Sequence, residues 1–296
     1  MTTVGFVGFG AMGTPIAGRL LDGNEVYGTN RTKAKAATLI ERGLTWRDTP
    51  REVAAAADIV FSMVTDDAAL DAVTAGPHGI LAGLAAGTVY VDMSTVSPHV
   101  SQDLAKRVRA AGAVMLDAPV SGSVPAAQSG TLSIMVGGPE QAFRAAEPLL
   151  RRLGSTVTHV GANGQGLLLK LAINISLAAQ MLAFSEGLLL AERGGIDPKV
   201  AADAMAASAI GSPMLKARVP LVLDLPEQPW FDMRLMHKDI RLALEAARRP
   251  GIPLPAAAAA DSVLTRAEEL GYGHRDIAGF RQVLAKTAGG PAPEAT

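Results

Sequence analysis

The chain has 296 residues, enough for one large domain or two of ordinary size, and 49% of them are hydrophobic against 19% charged, so a substantial core can form. A formal net charge of -1 excludes an electrostatic bias toward nucleic acid or an anionic membrane surface, which leaves small molecules and further protein subunits as the natural partners. The absence of cysteine removes disulfides, thiolate nucleophiles and Cys-ligated metals.

In chain order, Met1 to Phe9 reads as a strand entering a glycine loop, with no space for a secretory signal, so a cytoplasmic location is expected. Apolar runs of strand length then alternate with helical patterns: Val4 to Val7, Glu25 to Thr29, Asp58 to Val64, Thr88 to Asp92 and Val114 to Asp117. That alternation predicts an α/β fold with a parallel sheet of βαβ units. Thr49-Pro50-Arg51-Glu52 is a capping box with proline at the first helical position, Ser97-Pro98 repeats the cap-plus-proline start, and Gly112 ends the helix that follows. A helix from Pro139 to about Leu153 and a strand from Thr156 to Val160 continue the pattern until Gly161, Asn163, Gly164 and Gly166 break it.

From Leu167 to Ala191 the only charged residues are Lys170 and Glu186, so a helix there must be covered on nearly all sides. With Asn174, Ser176, Gln180 and Ser185 it is too polar for an isolated membrane span. It is expected at the centre of a helical second domain and in the subunit interface of a homodimer or homotetramer. Helices separated by Gly194-Gly195, Gly211-Ser212-Pro213, Pro226 to Pro229 and Arg249-Pro250-Gly251 follow, and a Pro/Ala tail from Gly289 is expected to be disordered.

Gly8-Phe9-Gly10-Ala11-Met12-Gly13 is a G-x-G-x-x-G set between the first strand and the helical pattern Ile16 to Leu21. Glycines there permit a tight turn, close backbone approach to a pyrophosphate and close helix packing, which makes Gly8, Gly10, Ala11, Met12 and Gly13 cofactor-binding candidates. A bare hexapeptide of this kind is more often a plain turn; its position at the first βα junction favours dinucleotide binding. At the end of the second strand, Asn30-Arg31-Thr32 replaces the acidic residue that would bind a ribose 2′-hydroxyl. Arg31 can clamp a 2′-phosphate and Asn30 and Thr32 can donate to it, which favours NADP over a weaker NAD; against this stands a merely solvated Arg31.

With these residues in view the chain resembles the beta-hydroxyacid dehydrogenases, the family of 3-hydroxyisobutyrate dehydrogenase, tartronate semialdehyde reductase and glyoxylate/succinic semialdehyde reductase. The resemblance rests on VGFVGFGAMGTPIAGRL near the start, DMST at Asp92 to Thr95, DAPVSGS with GTLSIMVGG between Asp117 and Gly138, GQGLLLKLAIN at Gly164 to Asn174 and HKDIRLAL at His237 to Leu244. It implies an N-terminal Rossmann domain over 1–162, an interdomain helix over 163–192, an all-helical domain over 193–288 and a tail over 289–296, with the active site between domains. It further implies that Lys170 is catalytic. Ser121, Gly122 and Ser123 would bind a small carboxylate-bearing substrate, Asn174 would hold it, Val64, Thr65 and Thr95 would line the nicotinamide, and Lys238 would reach the cofactor.

Ser121-Gly122-Ser123 with Pro125-Ala126, Ile173 in place of the first Asn of K-x-x-N-N, AFSEGL and KDIRLAL resemble the glyoxylate/succinic semialdehyde branch, where residues matching Phe231 and Asp239 also border the substrate. Thr65 stands where a proline is usual.

The chemistry is consistent with these residues. Aldehyde reduction builds negative charge on oxygen and needs a nearby proton donor or cation. Lys170 in an apolar helix meets that need, since desolvation lowers a lysine's pKa toward the working range, and Asn174 lies one turn along the same face. The alternative is a lysine that snorkels or pairs with a buried carboxylate. Ser121 with a glycine turn can take an anion without arginine, although Ser and Gly are common in ordinary turns. His237 reads as a helix-surface histidine without a role, and the histidines at 78, 99, 159, 237 and 274 lack ligand spacing, so no metal is expected. Three rivals remain. Imine reduction is opposed by Lys170, 6-phosphogluconate-type decarboxylation by the missing K-x-x-H-N pattern, and a non-catalytic NADP-binding module by the retained lysine.

Overall fold

A computed structural model describes residues 2–289, and the chain divides into two compact units that meet in sequence at Lys170 and Leu171. The first holds strands β1 (Thr3–Val7), β2 (Glu25–Thr29), β3 (Thr45–Trp46), β4 (Ile59–Ser62), β5 (Val89–Asp92), β6 (Val114–Asp117), β7 (Val120–Ser121), β8 (Ser133–Gly137) and β9 (Thr156–Gly161). Its helices are α1 (Gly13–Leu20), α2 (Ala37–Glu41), α3 (Pro50–Ala55), α4 (Asp67–Thr74), α5 (Pro98–Ala110), α6 (Val124–Ser129) and α7 (Glu140–Leu153).

The strands form one sheet in the order β3-β2-β1-β4-β5-β6-β8-β7, with β9 on β8. Pairing is parallel from β3 through to β6 and again between β8 and β9, as the βαβ alternation predicts. The far edge departs from that expectation, because β8 runs antiparallel to both β6 and β7. β8 was hidden from the periodicity reading: Ser133-Ile-Met-Val-Gly is a short apolar run among glycines, and only α6, a turn-length helix, returns the chain to it.

Side-chain alternation explains why both faces are covered. Val4, Phe6, Ile59, Phe61, Val89 and Val91 point to one side, where Ile16, Ala17 and Leu20 of α1 and Ala142, Phe143 and Ala146 of α7 meet them. Val7, Val60 and Tyr90 point to the other, against Val53 of α3, Leu70 of α4 and Leu104 and Val108 of α5. The strand order reverses between β1 and β4, and a doubly wound sheet binds its ligand outside the carboxyl ends of the strands at that reversal.

The helix α8 (Gln165–Arg193) starts two residues earlier than the apolar pattern indicated and runs 29 residues. By length and composition it is a candidate for crossing a membrane. Ala178, Met181, Leu182, Phe184 and Leu188 are buried in the core of the second unit, while 44% of the helix's most apolar stretch is buried within the single chain, short of the cover on nearly all sides that the sequence predicts. That unit continues with α9 (Pro198–Ala207), α10 (Pro213–Leu223), α11 (Met233–Arg248), α12 (Pro255–Glu269) and α13 (Phe280–Thr287). Asp197, Ser212 and Asp232 cap α9, α10 and α11, each accepting from an N–H in the first turn. The tail expected from Gly289 lies, beyond that residue, outside the described residues.

Candidate active site

At the end of β1 the chain turns through Gly8, whose φ of +104° favours glycine and whose absent Cβ would strike the Met63 carbonyl. A Cβ on Gly10 would meet nothing within 4 Å, so this position opens to space in front of α1. No side chain caps the start of α1. Unsatisfied N–H groups and the positive end of a helix dipole beside an open glycine are what a pyrophosphate requires, so these residues fit a dinucleotide.

Asn30 holds this loop: its Oδ1 accepts from the Phe9 N–H at 3.0 Å and its Nδ2 donates to the Thr32 carbonyl at 3.0 Å. One amide hydrogen is thereby used inside the protein, leaving one for a ligand. Arg31 and Thr32 are exposed at the end of β2. Beside them the Lys33 ammonium sits 5.2 Å from the Trp46 ring centroid, and the Arg47 guanidinium 4.6 Å from that of Tyr27. The sequence reading named only Arg31 of these cations, because β3, which places Trp46 and Arg47 next to β2, is two residues long and has no periodicity to read.

Val64 and Thr65 follow β4, and Thr95, half-buried, follows β5. The Val64 N–H donates to Ser94 Oγ at 2.9 Å, and Ser94 Oγ donates to Asp92 Oδ1 at 2.6 Å. Ser62 Oγ also donates to Asp92 Oδ1, at 2.7 Å, and lies 2.7 Å from the Tyr90 hydroxyl. Burial pushes the Asp92 carboxyl up to about 6 despite those hydroxyl donors, and Asp92 Oδ2 has no hydrogen-bond partner. Thr65 donates to Asp66 Oδ2 at 3.1 Å, while Asp66 Oδ1 caps α4. The Asp92 network was missed by sequence reasoning; its only signal was two hydroxyl residues near one carboxylate in DMST.

Ser121 ends β7, paired with Ser133 of β8, and Gly122 follows with φ +117°. Ser123 stands at the start of α6. Lys170, on α8, is 8% exposed, a costly place for a charged side chain.

In the second unit, Asn174 of α8 is fully buried and donates from Nδ2 to Asp239 Oδ2 at 2.6 Å. That carboxylate can only accept, so it dictates which end of the amide faces it and leaves Asn174 Oδ1, which has no hydrogen-bond partner, as an acceptor. Lys238 Nζ pairs with Asp239 Oδ1 at 2.9 Å, so three site residues assemble here. Phe231 is half-buried, and its N–H donates to Asp276 Oδ2 at 3.0 Å.

His237 corrects the sequence reading. It is 2% exposed, with Nδ1 2.8 Å from Glu268 Oε1 and Nε2 3.0 Å from Asp261 Oδ1, and it ties α11 to α12. Periodicity could not show this, because both partners lie on a helix more than 20 residues later.

Residues 3–161 match the NAD binding domain of 6-phosphogluconate dehydrogenase, and residues 164–284 match the NAD-binding domain of NADP-dependent 3-hydroxyisobutyrate dehydrogenase. A 2-(hydroxymethyl)glutarate dehydrogenase of Eubacterium barkeri is 35% identical over 97% of this chain and 96% of its own. The chloroplastic glyoxylate/succinic semialdehyde reductase 2 of Arabidopsis thaliana is 33% identical over 95% of this chain and 79% of its own. Among solved structures, Psf3 in complex with NADP+ and 2-OPP superposes with a TM-score of 0.87 at 28% identity, over 95% of this chain and 99% of that one.

Proposed function

The chain belongs to the beta-hydroxyacid dehydrogenase family, and from that premise we propose that it reduces a small aldehyde acid to the hydroxy acid with NADPH, or runs the reverse oxidation of a 3-hydroxy acid. The observation that carries this reading is the pair on α8: a buried lysine and, one turn later, a buried amide whose free end is an acceptor. The nicotinamide, when bound, supplies the hydride. Lys170 donates the proton to the developing alkoxide, where low dielectric strengthens its effect. Asn174, oriented by Asp239, accepts from the hydroxyl of the hydroxy acid, the product of reduction and the substrate of the reverse oxidation, and the Ser121-Gly122-Ser123 turn takes the carboxylate through hydroxyl and backbone donors. Phe231 borders the substrate, and Val64, Thr65 and Thr95 border the nicotinamide. Arg31, with Lys238 at another part of the cofactor, supports NADP over NAD, because a guanidinium clamps a 2′-phosphate and no carboxylate stands at the end of β2 to repel it.

The test follows the nicotinamide absorbance of NADPH and of NADH with succinic semialdehyde, glyoxylate, methylmalonate semialdehyde, tartronate semialdehyde, 2-formylglutarate and a cyclic imine. NADPH-dependent turnover of an aldehyde acid is expected. Turnover of the imine alone would make the protein an imine reductase, and tight NADPH binding without any turnover would make it a binding module.

A further inference from the structure

We propose that Asp117, assisted by Asn163, is a positioning residue for Lys170, its carboxylate fixing the first turn of α8 to the end of β6 so that the ammonium is presented in one register. This rests on the reading of Lys170 as the proton donor.

A helix leaves its first N–H groups without partners, and the usual remedy is a Ser, Thr, Asp or Asn immediately before it. At the start of α8 that position is Gly164, with φ +88°. The acceptor comes instead from β6. Asp117 Oδ1 accepts from the Gly164 N–H at 2.7 Å and Oδ2 from the Leu167 N–H at 3.1 Å, so one carboxylate spans the turn with both oxygens. Asp117 is fully buried. Burial pushes its carboxyl above the usual range while the two backbone donors pull it back, so the anion is held there at a cost.

The neighbours are shaped around it. A Cβ on Gly137 would lie 2.7 Å from both carboxylate oxygens, and one on Gly166 would lie 2.8 Å from Oδ2 and 2.5 Å from the Met135 carbonyl. Asn163, just before the helix, donates from Nδ2 to the Met115 carbonyl of β6 at 2.9 Å, a second tie between the same strand and the same turn.

Leu167 and Lys170 are one helical turn apart, so whatever fixes the first N–H group fixes the lysine. Each residue of slip advances a side chain by about 1.5 Å and rotates it by about 100°. A misplacement of roughly 1 Å in a catalytic group can cost on the order of 100-fold in rate. Asp117→Asn would keep one acceptor and set an N–H donor against the other N–H group.

The experiment measures kcat and the NADPH dissociation constant for Asp117→Asn, Asn163→Ala, Lys170→Ala and the double variants Asp117→Asn/Lys170→Ala and Asn163→Ala/Lys170→Ala. The substrate is whichever aldehyde acid of the panel above the wild type turns over fastest. Asp117→Asn is expected to lower kcat by on the order of 10- to 100-fold, Asn163→Ala by less, and both to leave NADPH affinity within about twofold. In the Lys170→Ala background Asp117→Asn is expected to change nothing further, because its effect passes through the lysine. An unchanged kcat in Asp117→Asn, or an equal loss with and without Lys170, overturns the proposal. If Asp117→Asn does not fold, Asn163→Ala carries the same arms. A Lys170→Ala variant with wild-type kcat would sink the reading of Lys170 itself.

Discussion

Single residues set the chemistry of this chain through burial. Asp92 is the clearest case, because burial raises its carboxyl to about 6 in the fold from an ordinary 3.8. The native state therefore holds a proton that the unfolded chain releases between those values. Its contribution to stability is fully present below about 4 and is lost as pH rises through about 6, a swing of roughly 3 kcal/mol at most. Asp92→Asn cannot titrate, so chemical denaturation of wild type and variant is expected to show the variant gaining relative stability between pH 4 and 6. A constant gap between the two would contradict the assignment. Just after β2, Arg31→Ala is expected to weaken NADPH about tenfold or more while leaving NADH nearly unchanged, measured as dissociation constants. Equal losses would remove the 2′-phosphate contact from the account.

At the scale of elements, the connection of α11 to α12 depends on His237. Truncation leaves the Glu268 and Asp261 carboxylates without their shared partner, so His237→Ala is expected to lower unfolding stability by about 2 kcal/mol. A variant as stable as wild type would show that the tie contributes nothing. Thr49→Ala, which removes the Oγ1 acceptor of the Glu52 N–H at the start of α3, is expected to cost about 1 kcal/mol in the same measurement.

What the sequence disclosed follows from the range of each signal. Caps and periodicity are local, so Thr49, the strands β1, β2, β4, β5, β6 and β9 and the Asn30-Arg31-Thr32 end of β2 were legible. β3 and β7 were not, because two residues carry no period, and β8 was not, because it is a short run between glycines preceded by only a turn-length helix. The same limit hid the chemistry that spans the chain. Asp117 capping a helix 47 residues away, Asp239 orienting Asn174, and His237 between two acidic residues of α12 are pairings that only folding creates.

The whole molecule carries one further expectation. Leu168, Leu169 and Leu190 of α8 are 46%, 40% and 76% exposed in the single chain, and Ile196 and Val200 beyond its end are exposed as well. Large apolar side chains along one helix are costly in water, so we propose that the protein is a homodimer or homotetramer. Light scattering on the purified protein is expected to give a multiple of the chain mass, and Leu190→Glu is expected to shift it toward the monomer. A wild-type monomer at micromolar concentration would contradict this.

Everything proposed for this fold turns on a proton passing from Lys170 to the carbonyl as it is reduced. The most direct test compares NADPH-dependent reduction of the panel of aldehyde acids by wild type and Lys170→Ala, with NADPH binding measured on both. The account predicts turnover in the wild type, its loss by a factor on the order of a thousand in the variant, and nearly equal NADPH affinity in the two. A variant that keeps the wild-type rate, with its cofactor still bound, would contradict it.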